Sequence, residues 1–105
     1  MNEAEFLAVV TTVGSRAEAQ AMARDLVQRR LAACAQISEI ESFYTWQGEV
    51  QNDPEHRVLL KTRSTRYAEV EAAIRDMHSY ELPAIHAFAL AEVYAPYGEW
   101  IEACT

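Results

Sequence analysis

Little in this chain of 105 residues interrupts secondary structure, for it has three glycines and three prolines. That scarcity, with half the residues apolar and 24% charged, excludes a disordered or low-complexity chain. Two cysteines, Cys34 and Cys104, are too few for a disulfide-stapled scaffold. No CxxC, HExxH, GxGxxG or phosphate-loop pattern occurs. Positive charge is short as well: 9 Lys and Arg against 16 Asp and Glu leave a net charge of −7. Such a surface lacks the basic patch that displaces counterions from nucleic acid, and anionic lipid repels it. It suits cations, or solubility alone. The apolar runs are far too short to span a bilayer. The start, MNEAEF, has no basic region and no apolar core, so no secretory leader is expected. The protein therefore reads as cytoplasmic, with both thiols reduced.

What is present is a regular succession of elements. No linker, repeat or charge block divides the chain, and residues 1–105 read as a single domain. The β-branched, apolar EFLAVVTTV (5–13) predicts a buried strand that ends at Gly14. Ser15 and Glu18 have the spacing of a capping box and open a helix with Ala19, Met22, Ala23, Leu26 and Val27 on its apolar face. Residues 34–64 read as two long strands joined at Gln47-Gly48, with Tyr44 and Trp46 on one face. Asn52-Asp53-Pro54 predicts a bulge or an edge in the second arm. A second helix is expected from about Thr65, burying Tyr67, Val70, Ile74 and Met77 and pairing Glu71 with Arg75 on its wet side. Pro83 forbids its continuation. AIHAFALAEV (84–93) predicts a fourth strand, and Tyr97, Trp100, Ile101 and Cys104 a short terminal helix.

The order β-α-β-β-α-β plus a terminal helix predicts an α+β, ferredoxin-like antiparallel sheet with both main helices on one face. The fourth strand is apolar on both faces, Ile85, Ala87, Ala89, Ala91 and Val93 pointing one way and His86, Phe88 and Leu90 the other. Both faces then need covering, which predicts an oligomer built through the sheet.

Residues able to carry chemistry gather in HSYELPAIH (78–86). His78 falls at a helix end, where the macrodipole favours it without any function. His86 alternates with Phe88 on a strand, as a packed histidine does, and His56 lies in a polar stretch expected to be exposed. No pair of His or Cys has a ligand spacing on a helix or hairpin, so a metal site within one chain is not expected, although one shared between subunits escapes that objection. Glu81, beside a histidine and a tyrosine, is a candidate general acid or base. Cys34 sits among alanines, an inert setting for a thiol. Lys61 ends VLLK and is expected to snorkel.

Several segments, taken in order, resemble the CutA family of divalent-cation-tolerance proteins. RRLAACAQI (29–37) is similar to its helix-to-strand junction and SFYTWQGEV (42–50) to its Tyr-x-Trp-x-Gly hairpin. VLLKT (58–62) resembles its Leu-rich strand, HSYELP (78–83) its His-Pro-Tyr-Glu-x-Pro block, and YGEWI (97–101) its closing aromatic segment. The resemblance implies a homotrimer of ferredoxin-like subunits, akin to PII signalling proteins. It also implies an inter-subunit cleft walled by Trp46, Lys61, His78, Tyr80 and Glu81. It implies a role in divalent-cation tolerance, with Cu(II) or another divalent cation bound through His78 and no cofactor required. Ser79 departs from the pattern by replacing a proline, and the cysteine and second histidine of some metal-binding members are here Thr11-Thr12 and Met77. Two other readings stay open: a PII-like sensor holding a small metabolite between subunits, and a small acid–base enzyme using Glu81 and His78.

Overall fold

The computed structural model describes residues 4–105; residues 1–3, the start of the MNEAEF segment, lie outside the described residues. Phe6–Val13 forms β1, Arg16–Gln28 α1, Cys34–Trp46 β2 and Glu49–Arg63 β3. After a 3-10 turn at Ser64–Arg66 come α2 (Tyr67–Met77), β4 (Ile85–Ala89) and α3 (Ala95–Cys104). The four strands form one sheet in the order β2-β3-β1-β4, antiparallel throughout.

Alternation along β1 explains the two faces. Val9, Val13, Val58 and Leu60 point to one side and meet Ala19, Met22 and Leu26 of α1 and Val70, Ala73 and Ile74 of α2. These residues form the main core, nearly all of them without solvent exposure. Val27 lies off the stripe and is 38% exposed, because it falls one residue past Leu26 around the helix. Helix α3 lies on the opposite face, where Ile101 packs with Phe6 and Ala33 in a second, smaller cluster. Gly98 gives close packing there, since a Cβ would approach the Phe6 ring to 3.0 Å and oblige it to shift.

Several local expectations are corrected. Ser15 does cap α1, its Oγ accepting from the Glu18 N–H at 3.1 Å. The Glu18 carboxylate does not complete the box; it accepts from the N–H and hydroxyl of Ser79, at 3.1 and 3.0 Å, and so ties α1 to the loop after α2. Glu71 does not pair with Arg75 among the described residues; it accepts from the Tyr67 hydroxyl at 3.1 Å. His56 is half-buried, its side chain 17% exposed, because it points to the helix face of β3. No bulge forms at Pro54, which pairs in continuous register with Glu41. The edge alternative holds: β1 ends at Val13 opposite His56, so Pro54 lies on a stretch of β3 with only one neighbour. Strand β4 stops at Ala89, four residues before its predicted end, because its partner β1 begins at Phe6, whose carbonyl accepts from Leu90 as the last bond.

The hairpin is the most extended feature. Its arms pair from Cys34 opposite Lys61 to Trp46 opposite Glu49, and the two-residue turn Gln47-Gly48 has positive φ at both positions, 52° and 81°. Beyond His56 it projects past β1, leaving Phe43 69% and Val50 76% exposed.

Candidate functional site

The loop between α2 and β4 folds over the end of β1. His78 leaves the helix with extended backbone (ψ 136°) and turns its ring onto the strand end. One ring nitrogen, Nε2, lies 2.9 Å from the Thr12 carbonyl oxygen, and Nδ1 accepts from the Tyr80 N–H at 3.1 Å. A carbonyl only accepts, so Nε2 must carry the proton. Both nitrogens are thus engaged with backbone, and a metal would reach either only by breaking a bond. This histidine acts as the splint of the loop.

The splint places Tyr80. Its ring packs on His78 with centroids 4.8 Å apart, and its hydroxyl donates to Glu55 Oε2 at 2.7 Å. Gly14 leaves space for that hydroxyl, since a Cβ there would sit 3.3 Å from it. Glu55 is only 8% exposed, an ionisable group that needs the partner it has. Burial, and then the Glu55 hydrogen bond, push the Tyr80 phenol well above the ordinary tyrosine range. A second phenol–carboxylate pair stands nearby on the hairpin, Tyr44 donating to Asp53 Oδ2 at 2.7 Å. That bond, before any other cause, raises the Tyr44 pKa as well.

Between the loop and the hairpin lies a cleft of about 550 Å³. Thr12, Ser42 and Glu55 line its floor, and Phe43, Tyr44, Thr45 and Trp46 the hairpin wall. Tyr80, Glu81, Leu82 and Ala84 line the loop wall. The structure therefore brings Trp46, Tyr80 and Glu81 of the expected set together within one protomer, with His78 directly behind Tyr80. It does not bring Lys61. That residue pairs with Ala8, four residues along β1 from Thr12 and roughly 13 Å away at strand rise. Lys61 belongs to another group: it donates to Gln36 at 3.4 Å, lies opposite Cys34, and sits 6.0 Å from the Tyr97 ring centroid. Cys34 Sγ is 3.7 Å from the Tyr97 hydroxyl, so the thiol has a cation and a phenol beside it that its sequence neighbours do not reveal. Burial, then the contact with Cys34, raises the Tyr97 pKa.

The sequence singled out neither Glu55 nor Phe43 for the cleft. Strand parity carried the signal for Glu55: it falls on the face opposite Val58 and Leu60, the same face as Tyr44 and Trp46. His86 is exposed on β4, edge-on to Phe88 at 5.3 Å. Among the described residues no group of three or more His, Cys, Asp or Glu could hold a metal ion, so the residues of one protomer do not fit a divalent-cation site.

An α+β domain of ferredoxin-like topology, with an aromatic cleft at the root of a projecting hairpin, is the class of protein these features define. Residues 7–104 match the family model CutA1, described as divalent ion tolerance protein. The chain belongs to the CutA family. It is similar to the divalent-cation tolerance protein CutA of Archaeoglobus fulgidus, 35% identical over 94 residues that cover 90% of this chain and 92% of that protein. The protein of the same name from Thermus thermophilus is 37% identical over 94 residues, 89% of this chain and 91% of the other. Among solved structures, the stable protein CutA1 from the psychrotrophic bacterium Shewanella sp. SIB1 superposes with a TM-score of 0.95 at 31% identity, covering 99% of this chain and 98% of that one. The periplasmic divalent cation tolerance protein CutA from Archaeoglobus fulgidus superposes with a TM-score of 0.93 at 33% identity, covering 94% and 97%.

Proposed function

We propose that this chain is a non-enzymatic, homotrimeric, cytoplasmic protein of divalent-cation tolerance. The observation that carries the trimer is the projecting hairpin. Its arms beyond His56 lack a third strand, and Phe43 and Val50 on them are exposed apolar side chains. A free strand edge of this kind, flanked by exposed apolar side chains, invites pairing with another chain, and closed symmetry satisfies it without open-ended growth. Light scattering at micromolar concentration tests the assembly: a mass three times that of the chain is expected, and a monomer mass overturns it.

The family supports the tolerance role. Contact with Cu(II) or another divalent cation is weak on this reading. It is made through His78 only with donors from other subunits, because one protomer supplies too few. Calorimetric titration of the parent and His78→Ala with Cu(II) tests this, and equal binding by the two removes His78 from the site. The non-enzymatic reading is supported by His78 itself, whose ring is committed to two backbone partners and is not free to shuttle protons with Glu81. Two free thiols suit a reducing compartment. No helix among the described residues is long and apolar enough to cross a membrane.

The cleft favours a second reading, a PII-like sensor that holds a small metabolite. Its volume lies in the range of small-molecule sites, and aromatic side chains with a few polar groups line it.

A further inference from the structure

We infer that the cleft at the root of the hairpin selects a small organic cation, an ammonium head on an apolar body. The inference rests on the small-molecule reading of that cleft and names the chemical class. Its wall presents the rings of Tyr44, Trp46 and Tyr80, and its charged lining is Glu55 and Glu81, with no Lys or Arg. Every charge facing the space is therefore negative. Lys61, the nearest cation in the expected set, is turned to Gln36 and Tyr97 instead.

The hydroxyl geometry sharpens this. Tyr80 and Tyr44 each donate their hydroxyl to a carboxylate at 2.7 Å. Their protons are spent inside the protein, so the phenols offer a ligand their ring faces and oxygen lone pairs, which are electron-rich. An anion meets two carboxylates here and no Lys or Arg among the lining residues. A hydrated divalent ion is poorly served as well, because it wants about six converging oxygens and the lining carboxylates are two. A quaternary alkylammonium, whose methyl groups hold water weakly, packs its carbons on Leu82 and the rings, and places its charge over aromatic faces near the carboxylates.

The test uses the full chain in the assembly it adopts. Choline is titrated calorimetrically to about 10 mM, beside its neutral isostere in which carbon replaces the charged nitrogen. Choline should bind, and the isostere should bind about tenfold more weakly or not at all. Glu55→Gln should weaken choline about tenfold through loss of the coulombic attraction between the carboxylate and the quaternary ammonium, which has no N–H to donate. Glu81→Gln, at an exposed position where folding is not at stake, should weaken it by a smaller factor and leave the melting temperature unchanged. Equal binding of choline and its isostere, or choline binding untouched in both variants, overturns the cation class while leaving the cleft a ligand site. Absence of binding by either probe overturns the small-molecule reading together with the inference.

Discussion

At the scale of single residues, the weight falls on hydrogen bonds that cross the molecule. Tyr80→Phe removes the 2.7 Å bond to Glu55 and leaves a nearly buried carboxylate short of a donor. The expected loss is about 1–2 kcal/mol in urea denaturation, kept near the low end by the partial exposure of Tyr80. The same pair sets a pH dependence. The folded-state pKa of Tyr80 is raised, so the bond's contribution is complete below the ordinary tyrosine value of about 10 and fades as pH rises through the higher folded value. Stability measured from neutral to strongly alkaline pH should fall less steeply in Tyr80→Phe than in the parent; parallel curves would remove Tyr80 as the cause. His78→Ala gives up two backbone partners and should cost a similar amount, so the histidine is a structural part whatever it contributes to metal binding. The sequence shows HSYELP plainly as a helix end, a proline-set turn and a strand. It does not show that Glu18, 61 residues away from Ser79, holds the loop down, because contacts between distant segments leave no local period.

At the scale of elements, legibility tracks how local the cause is. Hydrophobic periodicity and the Ser15 cap placed β1 and the start of α1 within a residue or two, and Gln47-Gly48 fixed the hairpin turn. The errors came where a neighbour decides. Strand β4 is shorter than its apolar run because β1 gives it nothing further to pair with, and the bulge expected at Pro54 is unnecessary where β3 has one free side. Arg30 also owes its place to a distant neighbour. It takes the left-handed conformation (φ 59°) that closes α1, a place usually given to glycine, and its guanidinium donates to the Ala103 carbonyl at the end of α3. Gln47 also sits in left-handed space, with no such tie among the described residues. Asn is the better residue at the first position of this turn, where both central residues need positive φ. Gln47→Asn should therefore stabilise the hairpin by about 0.5 kcal/mol. A melting temperature that stays put or drops would show that the turn is not limited by backbone strain.

At the scale of the whole molecule, the exposed apolar residues sit where a lone subunit gains nothing from them. Phe88 is 58% exposed on the edge strand β4, and Phe43 and Val50 crown the free part of the hairpin. The proposed trimer would cover them, and it makes a prediction that separates it from a merely sticky monomer. Val50 is 76% exposed, so Val50→Glu in an isolated subunit changes stability by no more than about 0.5 kcal/mol. In a trimer joined through the hairpins, the same change buries an unpaired carboxylate, and the interface should weaken by several kcal/mol. Trp46→Ala should weaken it less, by removing aromatic area from the wall that braces the hairpin. Sedimentation or light scattering over a dilution series should show Val50→Glu dissociating at concentrations where the parent stays assembled. Its melting temperature should become concentration-dependent, as expected when folding and association are linked. If Val50→Glu keeps both the mass and the melting temperature of the parent, the hairpin is not the element that joins the subunits. The β4 edge carrying Phe88 would then take its place.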